Sequence, residues 1–158
     1  MPEAYRIVKT KYARNAFDGE GARLQGGRWS SVGTPVVYAA GSLSLAILEI
    51  LVHLQDTGAL SAYAVVRMEF PDSVVLSLDA ALLPVNWRVS PALAAVMAIG
   101  DDWVGESRSA ILRVPSVIVP IEYNFLINPA HRDFSLITVG EPLSLDVDPR
   151  VFRGTTGV

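Results

Sequence analysis

A chain of 158 residues fits one domain and is long enough to enclose a core. It is 51% hydrophobic and 18% charged, with a mean hydropathy of +0.35, which is apolar for a globular domain. A net charge of −3 gives no electrostatic reason to bind nucleic acid. The absence of cysteine excludes disulfides and thiolate chemistry, and two histidines without clustered ligand spacing argue against a zinc site.

From the N-terminus, MPEAYRIVKTKYAR lacks the apolar core of a signal peptide. Residues 5–9 (YRIVK) read as a short strand, and 11–34, rich in Gly, as an extended loop long enough to carry function. VVYAA at 36–40 is strand-like. SLSLAILEILVHL at 42–54 reads as a helix with Ser42 as N-cap and Gly58 beyond its end; being apolar nearly all round, it is expected to be buried. Strand-like runs follow at 62–70 and 74–78. SPALAAVMAIG at 90–100 carries Ser at the N-cap, Pro at the first helical position and Gly past the end. SVIVPIE at 116–122 reads as a strand ended by Pro120, FSLITV at 134–139 alternates like one, and 142–148 adds another. The order is no regular βαβ alternation, so a single α+β domain over 1–158 is expected.

The most apolar windows, 43–54 and 110–121, contain Glu49, His53 and Arg113 and fall short of the roughly 18 apolar residues of a membrane span. A cytoplasmic protein with no membrane association is therefore expected. Its apolar excess implies either a dense core or a face covered by a partner.

Glu49 sits mid-helix among Leu45, Leu48 and Val52, where a carboxylate is normally paired or used. The plain alternatives are a pair with His53 at i+4 or a helix face open to water. Arg28 follows Gly26-Gly27 and offers a planar fork of donors beside a backbone able to approach a ligand; alternatively it pairs with a surface carboxylate. Tyr38, Ser116, Asn124, Asn128 and His131 each admit a structural role, and Ser107 and Ser109 read as loop caps. No P-loop, no GxGxxG after a strand and no GxSxG elbow occurs. Residue by residue, the reading ends at an α+β domain with a polar, arginine-containing pocket.

Two long runs say more. GARLQGGRWSSVGTPVVYAAGSLSLAILEILVHL (21–54) and ILRVPSVIVPIEYNFLINPAHRDF (111–134) together resemble the RES domain, in the family's order and over most of the chain. The resemblance implies a toxin of a bacterial toxin–antitoxin pair that depletes NAD by hydrolysis or phosphorolysis. Some members transfer ADP-ribose to a protein instead. It implies a split, ADP-ribosyltransferase-like β core with flanking helices and a cleft for NAD between sheets. The implied partner is an antitoxin with an Xre-type helix-turn-helix, which would take any operator binding upon itself, and a toxin dimer within the complex is possible. No prosthetic group and no metal are expected; NAD enters as substrate.

Carried over by motif, the family's arginine is Arg28 of GGRW, its tyrosine Tyr38 of VVYAA and its glutamate Glu49 of LAILEILVH. The serine is Ser116 of VPS, with Ser107 and Ser109 as alternatives. Where the family usually has asparagine after GGRW, this chain has Ser30 and Ser31. The implied roles suit cleavage of a glycosidic C–N bond, which builds positive charge on ribose. Glu49 would stabilise that charge and Arg28 would hold the pyrophosphate or ribose. Tyr38 would stack on nicotinamide, and Ser116 would bond the ribose or carboxamide. Trp29 and Asn124 complete the expected NAD contacts. A protein ADP-ribosyltransferase and a non-catalytic antitoxin-binding module are the alternatives.

Overall fold

The computed structural model describes residues 1–54 and 61–151. Among the described residues, eight strands and three α-helices run in the order β1 (Glu3–Lys9), α1 (Glu20–Gln25), β2 (Val37–Ala40), α2 (Leu43–Leu51), β3 (Tyr63–Glu69), β4 (Val75–Ser77), α3 (Ala94–Gly105), β5 (Ile111–Pro115), β6 (Tyr123–Ile127), β7 (Thr138–Val139) and β8 (Leu143–Ser144). The strands form one mixed sheet in the order β4-β5-β6-β2-β1-β3-β7, with β8 also on β3. The chain is an α+β domain, as expected.

Within this one sheet the narrowest join is between β1 and β2. Those strands share only the pair Tyr5↔Ala40, whereas β1 and β3 pair from Glu3↔Glu69 to Lys9↔Tyr63. Where β1 leaves β2, the Arg6 side chain takes over and donates Nη1–H to the Tyr38 carbonyl at 2.8 Å. Burial pushes the Arg6 guanidinium down to about 10, with Asp18 acting the other way, so it keeps its charge at neutral pH.

Period-two alternation sorts the side chains onto two faces. Ala4, Val37, Ala39, Met68, Ile111, Phe125 and Ile127 form a core with Phe70 and Val74 on one face. On the other, α3 packs Val96 and Trp103 against Leu112, Val114 and Leu126, while α2 packs Leu45 and Ala46 against Ala40, Tyr5 and Ile7. The polar side chains Tyr38, Asn124 and Ser116 share this second face, between the two helices.

Four expected elements differ. The loop at 11–34 contains a 3-10 turn, Thr10–Asn15, and helix α1. The helix expected to start at Pro91 begins three residues later, at Ala94, with Leu93 at its N-cap. Gly100 lies inside it rather than past its end. The strand expected at 116–122 is a turn, because the Ser116 hydroxyl accepts from the Ile118 and Val119 amides; the strands flank it as β5 and β6. FSLITV is divided: residues 134–136 finish a 3-10 turn, Arg132–Leu136, capped by His131, and only Thr138–Val139 form the expected strand, as β7. Helix α2 is also less buried than its composition suggests: Leu48 is 41% and Val52 61% exposed. Part of the apolar excess is therefore surface. Gly58, expected beyond the end of α2, lies outside the described residues.

Candidate active site

Ser42 caps α2 by accepting from the Leu45 amide at 3.1 Å, which starts the helix immediately after β2. Leu45 faces the sheet, and Glu49 lies one turn on, so it faces the sheet too. Its Oε1 accepts two hydrogen bonds, from Ser116 Oγ at 2.8 Å and from Asn124 Nδ2 at 2.7 Å. Among the described residues Oε2 has no donor. A helix, the end of β5 and the start of β6 thus meet on one carboxylate. His53 takes no part.

Ser116 is fully buried and its hydroxyl is saturated: it donates to Glu49 and accepts from Ile118 and Val119, both at 3.1 Å. As the site stands, the Ser116 hydroxyl is engaged by Glu49 and the two amides, and it anchors the glutamate. The Ser116→Ala variant strands two amides and removes an anchor of Glu49. It is expected to cost about 1–3 kcal/mol, read as a Tm lower by roughly 2–10 °C. An unchanged Tm would refute the bond. Asn124 must turn its amide nitrogen to the carboxylate, which only accepts. Its Oδ1 is then buried with no partner, an acceptor awaiting a donor.

The second half of the site is the turn Gly27–Ser30, where the Gly27 amide donates to the Ser30 carbonyl at 2.9 Å. Arg28 and Trp29 are its tip. The Tyr38 hydroxyl lies beneath it, accepting from the Trp29 amide at 3.2 Å and bonding Ser30 Oγ at 2.6 Å. A Cβ on Gly27 would lie 2.5 Å from that hydroxyl oxygen, so only glycine fits. Burial pushes the Tyr38 phenol up, against its bonds to Ser30 and Trp29, so it stays neutral. Tyr38 pairs with Leu126 and Ala40 with Asn124, so Tyr38 and Asn124 are diagonal neighbours, about 7–8 Å apart.

Helix α3 holds the same turn from outside. The Ser31 amide donates to Asp101 Oδ1 at 2.9 Å. Burial works to raise the Asp101 carboxyl, but hydrogen bonds from Ser31 and Thr34 outweigh it and hold it below the usual carboxylate range. Arg28 Nη1 donates to the carbonyls of Val89 at 2.9 Å and Trp87 at 3.2 Å; Nε and Nη2 make no bond among the described residues.

Trp29, expected at the substrate, is instead 2% exposed and packed with Val96 and Trp103. Of the three candidate serines, Ser116 alone meets Glu49. Ser109 Oγ accepts from Trp103 Nε1 and donates to the Ile111 carbonyl, and the Ser107 carbonyl receives His131 Nε2. Asn128 accepts from the Ala130 amide in its turn. Arg6, Trp87, Val89 and Asp101 went unread in the sequence. Two of them act through backbone carbonyls, which leave no mark on residue type.

Residues 3–148 match the RES domain family profile. The chain is similar to "Toxin Res" of Yersinia enterocolitica, 43% identical over 148 residues that cover 93% of this chain and 97% of that protein. It is 43% identical over 145 residues to the "Prs ADP-ribosylating toxin" of Sphingobium sp., covering 90% of each. Its fold resembles a chain in the crystal structure of the M. tuberculosis MbcT-MbcA toxin-antitoxin complex, at TM-score 0.75 and 20% identity, over 97% of this chain and 87% of that one. The chain belongs to the RES domain family.

Proposed function

We propose that this chain is the toxin of a bacterial toxin–antitoxin pair and acts by cleaving the nicotinamide–ribose bond of NAD. One observation carries the reading: a carboxylate fixed through one oxygen by Ser116 and Asn124, its other oxygen open, on the sheet face that also carries Tyr38. When the C–N bond breaks, its electron pair leaves with neutral nicotinamide, and positive charge develops on the ribosyl ring. Glu49 stabilises that charge, most effectively with water excluded. Arg28 keeps Nε and Nη2 for the pyrophosphate. Asn124 Oδ1 accepts from a ribose hydroxyl or the carboxamide. Tyr38 gives its ring to nicotinamide while its hydroxyl stays in the Gly27–Ser30 turn. Water or phosphate then bonds to C1′, giving ADP-ribose or its 1-phosphate, and water releases its proton.

The name of the Sphingobium relative favours a second reading, transfer of ADP-ribose to a protein side chain. Both readings use one NAD grip. The antitoxin, expected to be of the Xre type, would cover apolar side chains exposed around the site, such as Leu48, Val52 and Ile121; two toxins would meet within the complex. The action is placed in the cytoplasm, where NAD is.

The test is cellular NAD after inducing the chain without its antitoxin, with labelled NAD added to lysate in parallel. A rapid fall in NAD with only free product is expected. Label on a protein band with NAD held steady moves the reading to transfer. Steady NAD with normal growth overturns both and favours a non-catalytic antitoxin-binding module.

A further inference from the structure

The strap PVNWRVSP, residues 84–91, has no part in the site so far, yet it is tied to both halves of it. On one side Arg28 Nη1 holds the carbonyls of Trp87 and Val89. On the other, Arg88 Nε donates to the Val117 carbonyl at 2.9 Å, one residue from the Ser116 that anchors Glu49. Two successive turns keep the strap compact: the Trp87 amide donates to Pro84 and the Val89 amide to Asn86, at 3.1 and 3.2 Å. The strap bridges the Arg28 turn and the Ser116 turn.

Its central residue is aromatic. The Trp87 ring lies on Trp29, with centroids 5.8 Å apart at 37°. Trp29 and Trp103 are buried to 2% and 1% exposure, while Trp87 is partly exposed. Of the three tryptophans, Trp87 alone can meet a ligand, and it leaves the same backbone unit whose carbonyl touches Arg28. Trp87 packs against the Trp29 core cluster and remains partly exposed; a guanidinium with free donors beside such an indole suits a phosphate joined to a flat heteroaromatic ring.

We propose that Trp87 is a substrate-binding residue whose indole stacks on one ring of the dinucleotide, taking the place expected for Trp29. The proposal rests on the NAD reading above. It makes the strap one side of the proposed NAD site and leaves Trp29 beneath Trp87 as its support. The ring is adenine or the pyridine of nicotinamide; stacking is the chemistry common to both.

The experiment titrates the full chain carrying Glu49→Gln, in which turnover is expected to be slow on the time of the titration, with NAD. Tryptophan emission and calorimetry are followed together. Saturable quenching is expected in this parent. Adding Trp87→Phe should abolish the quenching and leave affinity within about threefold, since a ring remains. Adding Trp87→Ala should weaken binding roughly tenfold or more. ADP and nicotinamide mononucleotide serve as separate probes: quenching by the first assigns adenine, by the second the pyridine ring. Full quenching after Trp87→Phe, or undiminished affinity after Trp87→Ala, overturns this proposal alone. No binding heat with the parent overturns the NAD reading and this proposal with it. Thermal melts matching the parent's identify folded variants, and Trp87→Phe keeps the test open if Trp87→Ala unfolds.

Discussion

Glu49→Gln is expected to lower the rate of NAD cleavage by about 100- to 1,000-fold while leaving Tm within about 2 °C. The two effects separate because the side chain has two tasks on two oxygens. Oε1 is structural: it receives Ser116 Oγ and Asn124 Nδ2, and a glutamine carbonyl oxygen accepts both in the same place. On the proposed NAD reading, the negative charge does the chemistry. A neutral amide cannot offset the positive charge developing on the ribosyl ring, and its NH2 group would present a donor where the carboxylate presents an acceptor. Glu49→Ala is the informative contrast. It leaves the Ser116 hydroxyl and the Asn124 amide without acceptors, so it should lose stability as well as rate. Single-turnover cleavage with purified protein, beside thermal melts, measures both. A Glu49→Gln protein that cleaves at the wild-type rate would show that the carboxylate is not the anion of the reaction.

What could be read from the sequence follows from which interactions are written in residue type. Helix α2 was legible because Ser42 precedes an apolar run and its hydroxyl does cap the Leu45 amide. Glu49 stood out because a carboxylate in such a helix needs a reason, and the reason is two donors from the far end of the chain. The pairing itself was not legible: Ser116 and Asn124 lie 67 and 75 residues away, and nothing local says that β5 and β6 bring them to one oxygen. The same distance hid the turn at 116–122. Its β-branched residues favour a strand, but one buried serine hydroxyl binding two amides overrides them. The burial of Trp29 is likewise not written locally: an aromatic beside an arginine suggests a ligand, whereas here the two point apart from the tip of a tight turn, Arg28 toward the strap and Trp29 into the core.

Gly100 shows how a local signal can be right in kind and wrong in place, and it yields the largest expected loss of stability. A glycine after an apolar run reads as a helix stop, yet α3 continues to Gly105. Position 100 has no side chain because the Trp29 carbonyl oxygen rests on the helix there: a Cβ would lie 1.8 Å from that oxygen and 3.0 Å from its carbon. Both are backbone atoms of the turn that carries Arg28, and no rotamer change relieves the clash. In an open helix interior, glycine to alanine stabilises by up to about 1 kcal/mol. Here the turn must lift by more than 1 Å, disturbing the contacts of Trp29 with Val96 and Trp103 and the Ser31–Asp101 bond. Gly100→Ala is therefore expected to cost about 2–4 kcal/mol net and lower Tm by roughly 5–15 °C. Even where the protein folds, the affinity for NAD should fall, because Arg28 is displaced. Gly105→Ala is the matched control, since nothing lies within 4 Å of a Cβ there; it should leave Tm level or slightly raised. Thermal melts of the two variants decide it. Equal Tm values would mean that α3 does not hold the Arg28 turn by backbone contact, and the geometry assigned to that half of the site would fail with it.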